Sequence, residues 1–245
     1  MTMKAIDTET QSSIAEDVRK QLIWQADPAY RKFHSSLVPG IGTMLGVRVP
    51  HLRKIAKETA RKDYRGFADA ADPTVYEELM IRGMMIGYRH GSTEAYQMEL
   101  DEFVPLINNW AICDCCCSTY HFMRSNQEKW YAYLDKWMQS EREYEVRFAV
   151  VCLLDYFIND TYIDKILSVL PCISQEGYYV KMAVAWAVSV CYVNYPERTK
   201  KLLEENRLDH FTQNKAIQKI RESNRISVEE KKRVLMWKWK ETNGS

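Results

Sequence analysis

The chain has 245 residues and a formal net charge of +1, which fits one large domain or two small ones. Hydrophobic residues make up 46% and charged residues 27%, a composition that excludes extensive disorder and a membrane-embedded fold. No apolar run of 18 residues occurs, and residues 1–25 are too polar for a secretory signal. We therefore expect a cytoplasmic protein that does not contact membranes.

Turn-forming residues are scarce. The chain has 9 glycines and 7 prolines, about half of the usual combined share of roughly 12%. This leaves too few turns for a many-stranded β protein, so the composition predicts an all-α fold. Four of the seven cysteines lie at 113 and 115–117, a poor arrangement for a disulfide framework but an ordinary one for reduced thiols inside a cell.

Helical periodicity begins near the N-terminus. One face of the first predicted helix carries Ile14, Val18, Leu22 and Ile23. Pro28 opens a second helical segment, and a loop at 38–42 interrupts the pattern. From Pro50 the pattern is helical again, with an inward face of Leu52, Ile55, Ala56 and Thr59. Further helices are predicted at about 74–90, 94–101, 109–124, 126–138, 142–158, 161–169, 176–194, 196–205, 210–223 and 227–240.

Short connectors join these helices, and their lengths pair neighbouring helices as antiparallel hairpins. The pattern predicts an α–α superhelix, or solenoid, of HEAT-like antiparallel helix pairs. We expect one helical-repeat domain over residues 1–245, with frayed extreme termini. No strict sequence repeat accompanies the helix count, so a globular helical bundle is the alternative.

Positive charge is concentrated in two segments. Residues 46–65 contain seven Lys or Arg against two acidic residues, and residues 200–245 contain 12 against seven. A curved solenoid can bring two such segments onto one concave face, where they would contact phosphates. The alternative for the C-terminal segment is a solvated helix face without a ligand.

The segment most informative about chemistry is 107–114, Ile-Asn-Asn-Trp-Ala-Ile-Cys-Asp. A helix that begins near Asn109 places Trp110 and Asp114 four residues apart, side by side on one face. A carboxylate beside an indole stabilises a positive charge by Coulomb attraction and by cation–π contact. On spacing alone, a core Trp110 and an Asp114 bonded to a neighbouring helix is the favoured alternative.

Two other residues stand out among apolar neighbours. Arg147 must meet an acid, a phosphate or a carbonyl, because a buried unpaired guanidinium is prohibitive. A salt bridge to Asp155 or Asp114 is one interpretation, and a bound phosphate is the other. Trp186 also lies in an apolar run, where an ordinary core aromatic is the plainer interpretation.

Together these residues resemble the AlkD-like DNA alkylation repair proteins, a family of HEAT-like-repeat DNA glycosylases. The resemblance covers about residues 12–238 and includes 214–220, which looks like the last repeats of that family. It rests on four segments in the expected order, 45–57, 108–114, 144–149 and 181–187. In two respects the chain departs from the family pattern, with Ala111 where some members carry a second aromatic, and with Cys115–Cys117.

The resemblance implies excision of N3- and N7-alkylated purines from duplex DNA by a monomer that needs no metal and no cofactor. Such a base is cationic and leaves neutral, so the enzyme needs no general acid and mainly stabilises an oxocarbenium-like sugar and orients water. By the resemblance, Asp114 is the catalytic carboxylate, Trp110 and Trp186 line the cleft, and Arg147 holds a backbone phosphate. The alternative is a non-catalytic scaffold that binds DNA or a protein partner.

The cations expected to contact the DNA backbone are Arg48, Arg53, Lys54, Lys57, Lys181, Lys215, Lys219 and Arg221. A zinc site is not expected, because the cysteines at 113 and 115–117 have no second cysteine pair elsewhere. Cys152, Cys172 and Cys191 lie singly in apolar segments, and we expect small buried thiols.

Overall fold

The computed structural model describes residues 3–38 and 40–239, and for residues 3–13 it describes the backbone alone. The frayed ends predicted from the sequence fall at the extreme termini, outside the described residues. Contacts group the chain into two compact units, Met1–Phe122 and Met123–Ser245. A single helical-repeat domain over 1–245 stays a prediction.

The regular secondary structure among the described residues of the first unit is helical, apart from an isolated bridge between Thr43 and Val75. Its helices are α1 Met3–Trp24, α2 Pro28–Leu37, α3 Val49–Ala60, α4 Tyr64–Ala70, α5 Tyr76–Tyr88, α6 Thr93–Phe103 and α7 Trp110–Cys117, with 3-10 turns at Val104–Leu106 and His121–Arg124. Helix α5 packs against α3, α4, α6 and α7. Ten of its 13 residues are buried, as expected for the central helix of a unit.

The second unit is also built from helices packed on helices. It contains α8 Gln127–Met138, α9 Glu143–Tyr156, α10 Ile163–Val169, α11 Tyr178–Asn194, α12 Pro196–Glu204, α13 His210–Glu222 and α14 Val228–Arg233, with 3-10 turns at Leu170–Cys172 and Val234–Trp237. Helix α11 packs against α9, α10, α12 and α13, and α9 packs against α8. The predicted all-α class is confirmed, and this helix-on-helix packing is consistent with an α–α superhelical repeat fold.

Two predicted helices are shorter than expected. The helix predicted over 109–124 ends at Cys117, because the hydroxyls of Ser118 and Thr119 donate to carbonyls of its last turn. The helix predicted over 227–240 becomes a 3-10 turn at Val234, which places Val234 and Trp237 on one buried face. Residue 240 lies outside the described residues.

Other differences concern single residues and one short helix. Val18 and Leu22 are buried as predicted, but Ile23 is 66% exposed because it lies about 100° around the helix from Leu22. The inward face predicted for α3 is confirmed. Helix α4 was not predicted, since its seven residues are too few to show a clear period. Cys172 is exposed rather than buried, because it lies in the 3-10 turn that follows α10.

The loop before α3 is held by one buried carboxylate. Glu77 of α5 accepts hydrogen bonds from the backbone N–H groups of Leu45, Gly46 and Val47 at 2.7 to 3.2 Å. Gly46 adopts φ +92, and a Cβ there would lie 2.5 Å from the carbonyl oxygen of Asp27. Glycine is therefore required at this position, and the loop fixes where the basic helix α3 begins.

Candidate functional site

Helix α7 presents a narrow accessible stripe on an otherwise buried helix. The side chain of Asn109 caps the helix by accepting a hydrogen bond from the Ile112 N–H at 3.0 Å. The half-exposed residues of α7 and its C-cap are Trp110, Asp114, Cys115 and Ser118. Their spacing follows the helical period, so the predicted pair of Trp110 and Asp114 lies on the accessible face.

Both ends of this α7 stripe are fixed by hydrogen bonds to neighbouring elements of the first unit. At one end, the Trp110 indole N–H donates to the carbonyl oxygen of Leu37 at 3.2 Å, at the end of α2. At the other end, Arg53 of α3 donates to Ser118 Oγ at 2.8 Å and to the Tyr88 hydroxyl at 3.3 Å. The structure thus brings the predicted cation Arg53 to the same stripe as the predicted carboxylate.

The thiol on the stripe is not poised as a nucleophile. Burial raises the pKa of Cys115 to about 11, while the Arg53 charge opposes this rise and the Asp114 charge adds to it. Burial also raises the pKa of Cys116 well above its ordinary value. Both thiols are therefore protonated at neutral pH, so neither is activated as a thiolate nucleophile.

A tyrosine–histidine network next to the stripe was not predicted from the sequence. His34 contacts the Tyr30 hydroxyl through Nδ1 at 3.5 Å and the Tyr76 hydroxyl through Nε2 at 2.9 Å. Tyr30 and Tyr76 both lie close enough to Cys115 for a thiolate charge there to raise their pKa values, which puts the network beside α7. The spacing of Tyr30 and His34 at i and i+4 was the one available signal, and it carries little information alone.

The remaining predicted cations of the first unit differ in how they are engaged. Arg48 pairs with Asp27 at 2.9 Å, and its guanidinium lies 4.7 Å from the centre of the Tyr30 ring. Lys54 and Lys57 are exposed on α3. Arg48 is thus held beside the tyrosine–histidine network, whereas Lys54 and Lys57 are exposed on the surface of α3.

In the second unit, Arg147 is only 5% exposed and donates to the carbonyl oxygen of Tyr179 at 2.6 Å. The sequence predicts an acid, a phosphate or a carbonyl as the partner of Arg147, and this hydrogen bond provides a carbonyl. It ties α9 to the first turn of α11, and so fixes the position of the guanidinium.

Trp186 does not lie wholly in the core. It is half-exposed and lines an open cleft of about 320 Å³ between α11 and α13. Lys219, one of the predicted backbone cations, lines the same cleft, together with Arg225 and Glu222. The structure therefore brings an indole face and two cations together.

The other cations predicted in this unit are placed in two different surroundings. Lys181 pairs with Glu176 and lies 3.7 Å from Asp209, and the hydrogen bond to Glu176 raises the pKa of Lys181. Lys215 and Arg221 line a separate cleft of about 410 Å³. The charge of Lys181 is thus balanced locally, and it is the least available of the three for a phosphate.

The cysteines are all free thiols. Within residues 3–38 and 40–239, no group of three or more His, Cys, Asp or Glu side chains is arranged to hold a metal ion. None of the helices in these same ranges combines the length and the apolar character that a membrane crossing requires.

Comparison with protein families identifies the chain. The model of the family described as DNA alkylation repair enzyme matches residues 18–220. The chain belongs to this family. The resemblance inferred from the sequence is confirmed, and the protein has a role in the repair of alkylated DNA. A search of curated proteins found no match. The matched range contains every residue singled out for the reaction, Trp110, Asp114, Arg147 and Trp186, so this DNA alkylation repair enzyme carries them within its family core.

Proposed function

We propose that the protein is a DNA glycosylase that removes cationic N3- and N7-alkylated purines from duplex DNA. The observation that carries this proposal is the accessible pair on α7, where Asp114 and Trp110 share a half-exposed stripe while five of the eight residues of the helix are buried. Membership of the DNA alkylation repair enzyme family supports a substrate of this kind.

The chemistry suits one fixed anion. When the C1′–N bond breaks, its electron pair neutralises the cationic base, and the sugar becomes an oxocarbenium-like cation. Asp114 stabilises this developing charge, and a water molecule then bonds to C1′ and loses its proton to solvent. A preorganised group facing developing charge typically lowers the barrier by about 3 to 4 kcal/mol.

The surroundings of α7 help to keep the pair in place. The bond from the Trp110 indole to Leu37 fixes the ring, so its face can pack against the deoxyribose or the lesion without further ordering. Arg53, at the other end of the α7 stripe, is positioned to bind a phosphate of the damaged strand.

Residues of the second unit have a complementary role in this proposal. Trp186 would contribute its indole face, and Lys219 would bind a nearby phosphate from the same cleft. Arg147, fixed by Tyr179, would hold the backbone phosphate next to the lesion. We further propose that the enzyme acts as a cytoplasmic monomer that needs no cofactor.

The test is release of free base from a duplex that contains 7-methylguanine. We expect the wild-type protein to release 7-methylguanine and Asp114→Asn to do so on the order of 10²- to 10³-fold more slowly. The matched control is Asp101→Asn, which removes an exposed carboxylate of α6 and should leave the rate unchanged.

Two outcomes would contradict the proposal. Undiminished release by Asp114→Asn would remove Asp114 from the reaction. No release by the wild-type protein, with duplex binding retained, would favour a scaffold that binds DNA without catalysis.

A further inference from the structure

A second strongly basic site lies in the first unit, where a cavity of about 820 Å³ opens beside the ends of α3 and α5 and the start of α4. Its volume is within the range of ordinary ligand pockets. Its charged lining comprises Lys57, Arg61, Lys62, Arg65 and Arg89, against Asp63 and Glu99. Cations therefore outnumber acids, and a cleft lined by one sign of charge attracts the opposite charge.

The two acids of the cavity are already engaged. Asp63 caps α4 by accepting a hydrogen bond from the Gly66 N–H at 2.8 Å, and Glu99 pairs with Arg89 through Oε1, while Glu99 Oε2 has no hydrogen-bond partner among the described residues. Arg65 pairs outside the cavity, with Glu102 at 2.9 Å. The acids of the lining therefore leave the positive charge of the α3 end unbalanced.

The cations that remain are Lys57, Arg61 and Lys62, at the C-terminal end of α3. Among the described residues, none of the three makes a salt bridge. The helix dipole favours cations at this end, but it amounts to only about half of one negative charge. The positive charge of the three cations therefore exceeds the partial negative charge of the helix end. An anion that binds there relieves their mutual repulsion.

Tyr64 provides an independent indication of a ligand. It lines the cavity, is only 7% exposed, and its ring lies 5.3 Å from the Arg89 guanidinium. Its hydroxyl has no hydrogen-bond partner among the described residues. Burial raises the pKa of Tyr64, so the hydroxyl stays protonated and can donate. An unpaired buried donor is costly, and an acceptor that enters with a ligand would remove this cost.

We propose that this cavity binds a phosphate group through Arg61 and Lys62, with Tyr64 as an additional donor. Phosphate oxygens accept charge-assisted hydrogen bonds from guanidinium and ammonium groups and have no donor to conflict with Tyr64. The phosphate belongs either to a polynucleotide backbone or to a small phosphate compound. If the phosphate belongs to DNA, the site rests on the proposed glycosylase function and adds a backbone contact to it. Its test nevertheless requires no glycosylase activity.

The test compares the binding of two probes. Binding of an undamaged duplex of about 16 base pairs is measured by fluorescence anisotropy, and binding of sodium pyrophosphate is measured by calorimetry. The variant is Arg61→Gln with Lys62→Gln, and the control is Lys20→Gln with Lys32→Gln, which removes two exposed cations of α1 and α2. We expect the cavity variant to bind at least one probe about tenfold more weakly at low salt, and the control to change by less than about twofold.

The two probes distinguish the sources of the phosphate. A loss confined to the duplex identifies a backbone phosphate, and a loss for pyrophosphate identifies a small phosphate compound. Equal binding of both probes by the cavity variant and the wild-type protein would overturn the inference, and so would a wild-type protein that binds neither probe.

Tyr64→Phe separates a binding role from a structural one. Because the hydroxyl is unpaired, its removal should leave the melting temperature unchanged or raise it, while affinity for the affected probe falls about fivefold. A lower melting temperature with unchanged affinity would show that the hydroxyl serves the fold, and would contradict its part in the site.

Discussion

Replacement of the Glu77 carboxylate tests how the fold positions the candidate site. Glu77 is fully buried and holds the loop at 45–47 immediately before α3, the helix that carries Arg53. Glu77→Gln removes the charge and replaces one acceptor oxygen by a donor. Because the other oxygen keeps its place, the change weakens the loop contacts without leaving a cavity.

The cost follows from three hydrogen bonds. Hydrogen bonds to a charged acceptor contribute about 1.5 to 3 kcal/mol each, and neutral ones about 0.5 to 1.5 kcal/mol. Each of the three N–H donors therefore loses about 1 kcal/mol in the variant. The N–H of Leu45, which bonds both oxygens, additionally faces the new amide donor. We expect the free energy of unfolding to fall by about 3 kcal/mol, a large part of the stability of an ordinary domain.

Two measurements check this prediction. Urea unfolding gives the change in stability, and amide hydrogen exchange reports on the N–H groups of Leu45, Gly46 and Val47. The control is Glu78→Gln, an adjacent buried carboxylate that instead pairs with Arg19 and accepts from the Asp72 N–H. Both variants should lose stability, but only Glu77→Gln should lose protection at 45–47. A loss below about 0.5 kcal/mol with unchanged protection would show that Glu77 does not hold this loop.

Three further predictions concern single groups. Burial lowers the pKa of His34 below 6.5, and the Glu77 charge partly opposes this shift. The unfolded chain therefore binds the proton at a higher pH than the folded protein does, so the free energy of unfolding should fall as pH drops from about 7.5 to about 5.5. The pH dependence of urea unfolding should be weaker in His34→Gln than in the wild-type protein. An identical dependence would show that His34 does not cause it. Lys219→Gln should weaken duplex binding and reduce its salt dependence by roughly one phosphate contact, whereas Lys129→Gln, on α8, should not; equal salt slopes would argue against the Trp186 cleft. Arg147→Met should slow base release more than it changes stability, because methionine keeps an apolar side chain of similar length and removes the guanidinium that donates to Tyr179; large unfolding with normal residual release would assign Arg147 to the fold.

Much of the helical framework can be read from the sequence, because apolar periodicity fixes which residues face inward. The inward face of α3 is an example, since Leu52, Ile55, Ala56 and Thr59 recur at helical spacing and are all buried. Helical spacing likewise predicts that Trp110 and Asp114 lie side by side, and both lie on the accessible stripe of α7.

Other features depend on contacts between residues distant in sequence. Glu77 lies in an apolar helix without any sign that it accepts bonds from residues about thirty positions earlier. The network of Tyr30, His34 and Tyr76 joins two helices, and the free hydroxyl of Tyr64 is defined by a missing partner. Spacing along one chain segment cannot reveal either feature.

The proposed reaction depends on the fixed charge of Asp114, which we expect to stabilise a cationic sugar. The most direct measurement is the affinity for a duplex that carries a pyrrolidine in place of the lesion nucleotide, compared with one that carries a tetrahydrofuran. The first mimics the charged sugar at neutral pH, and the second has the same shape without charge. We expect the wild-type protein to prefer the pyrrolidine duplex by at least about tenfold and Asp114→Asn to lose this preference. A preference that survives in Asp114→Asn would contradict this role of Asp114.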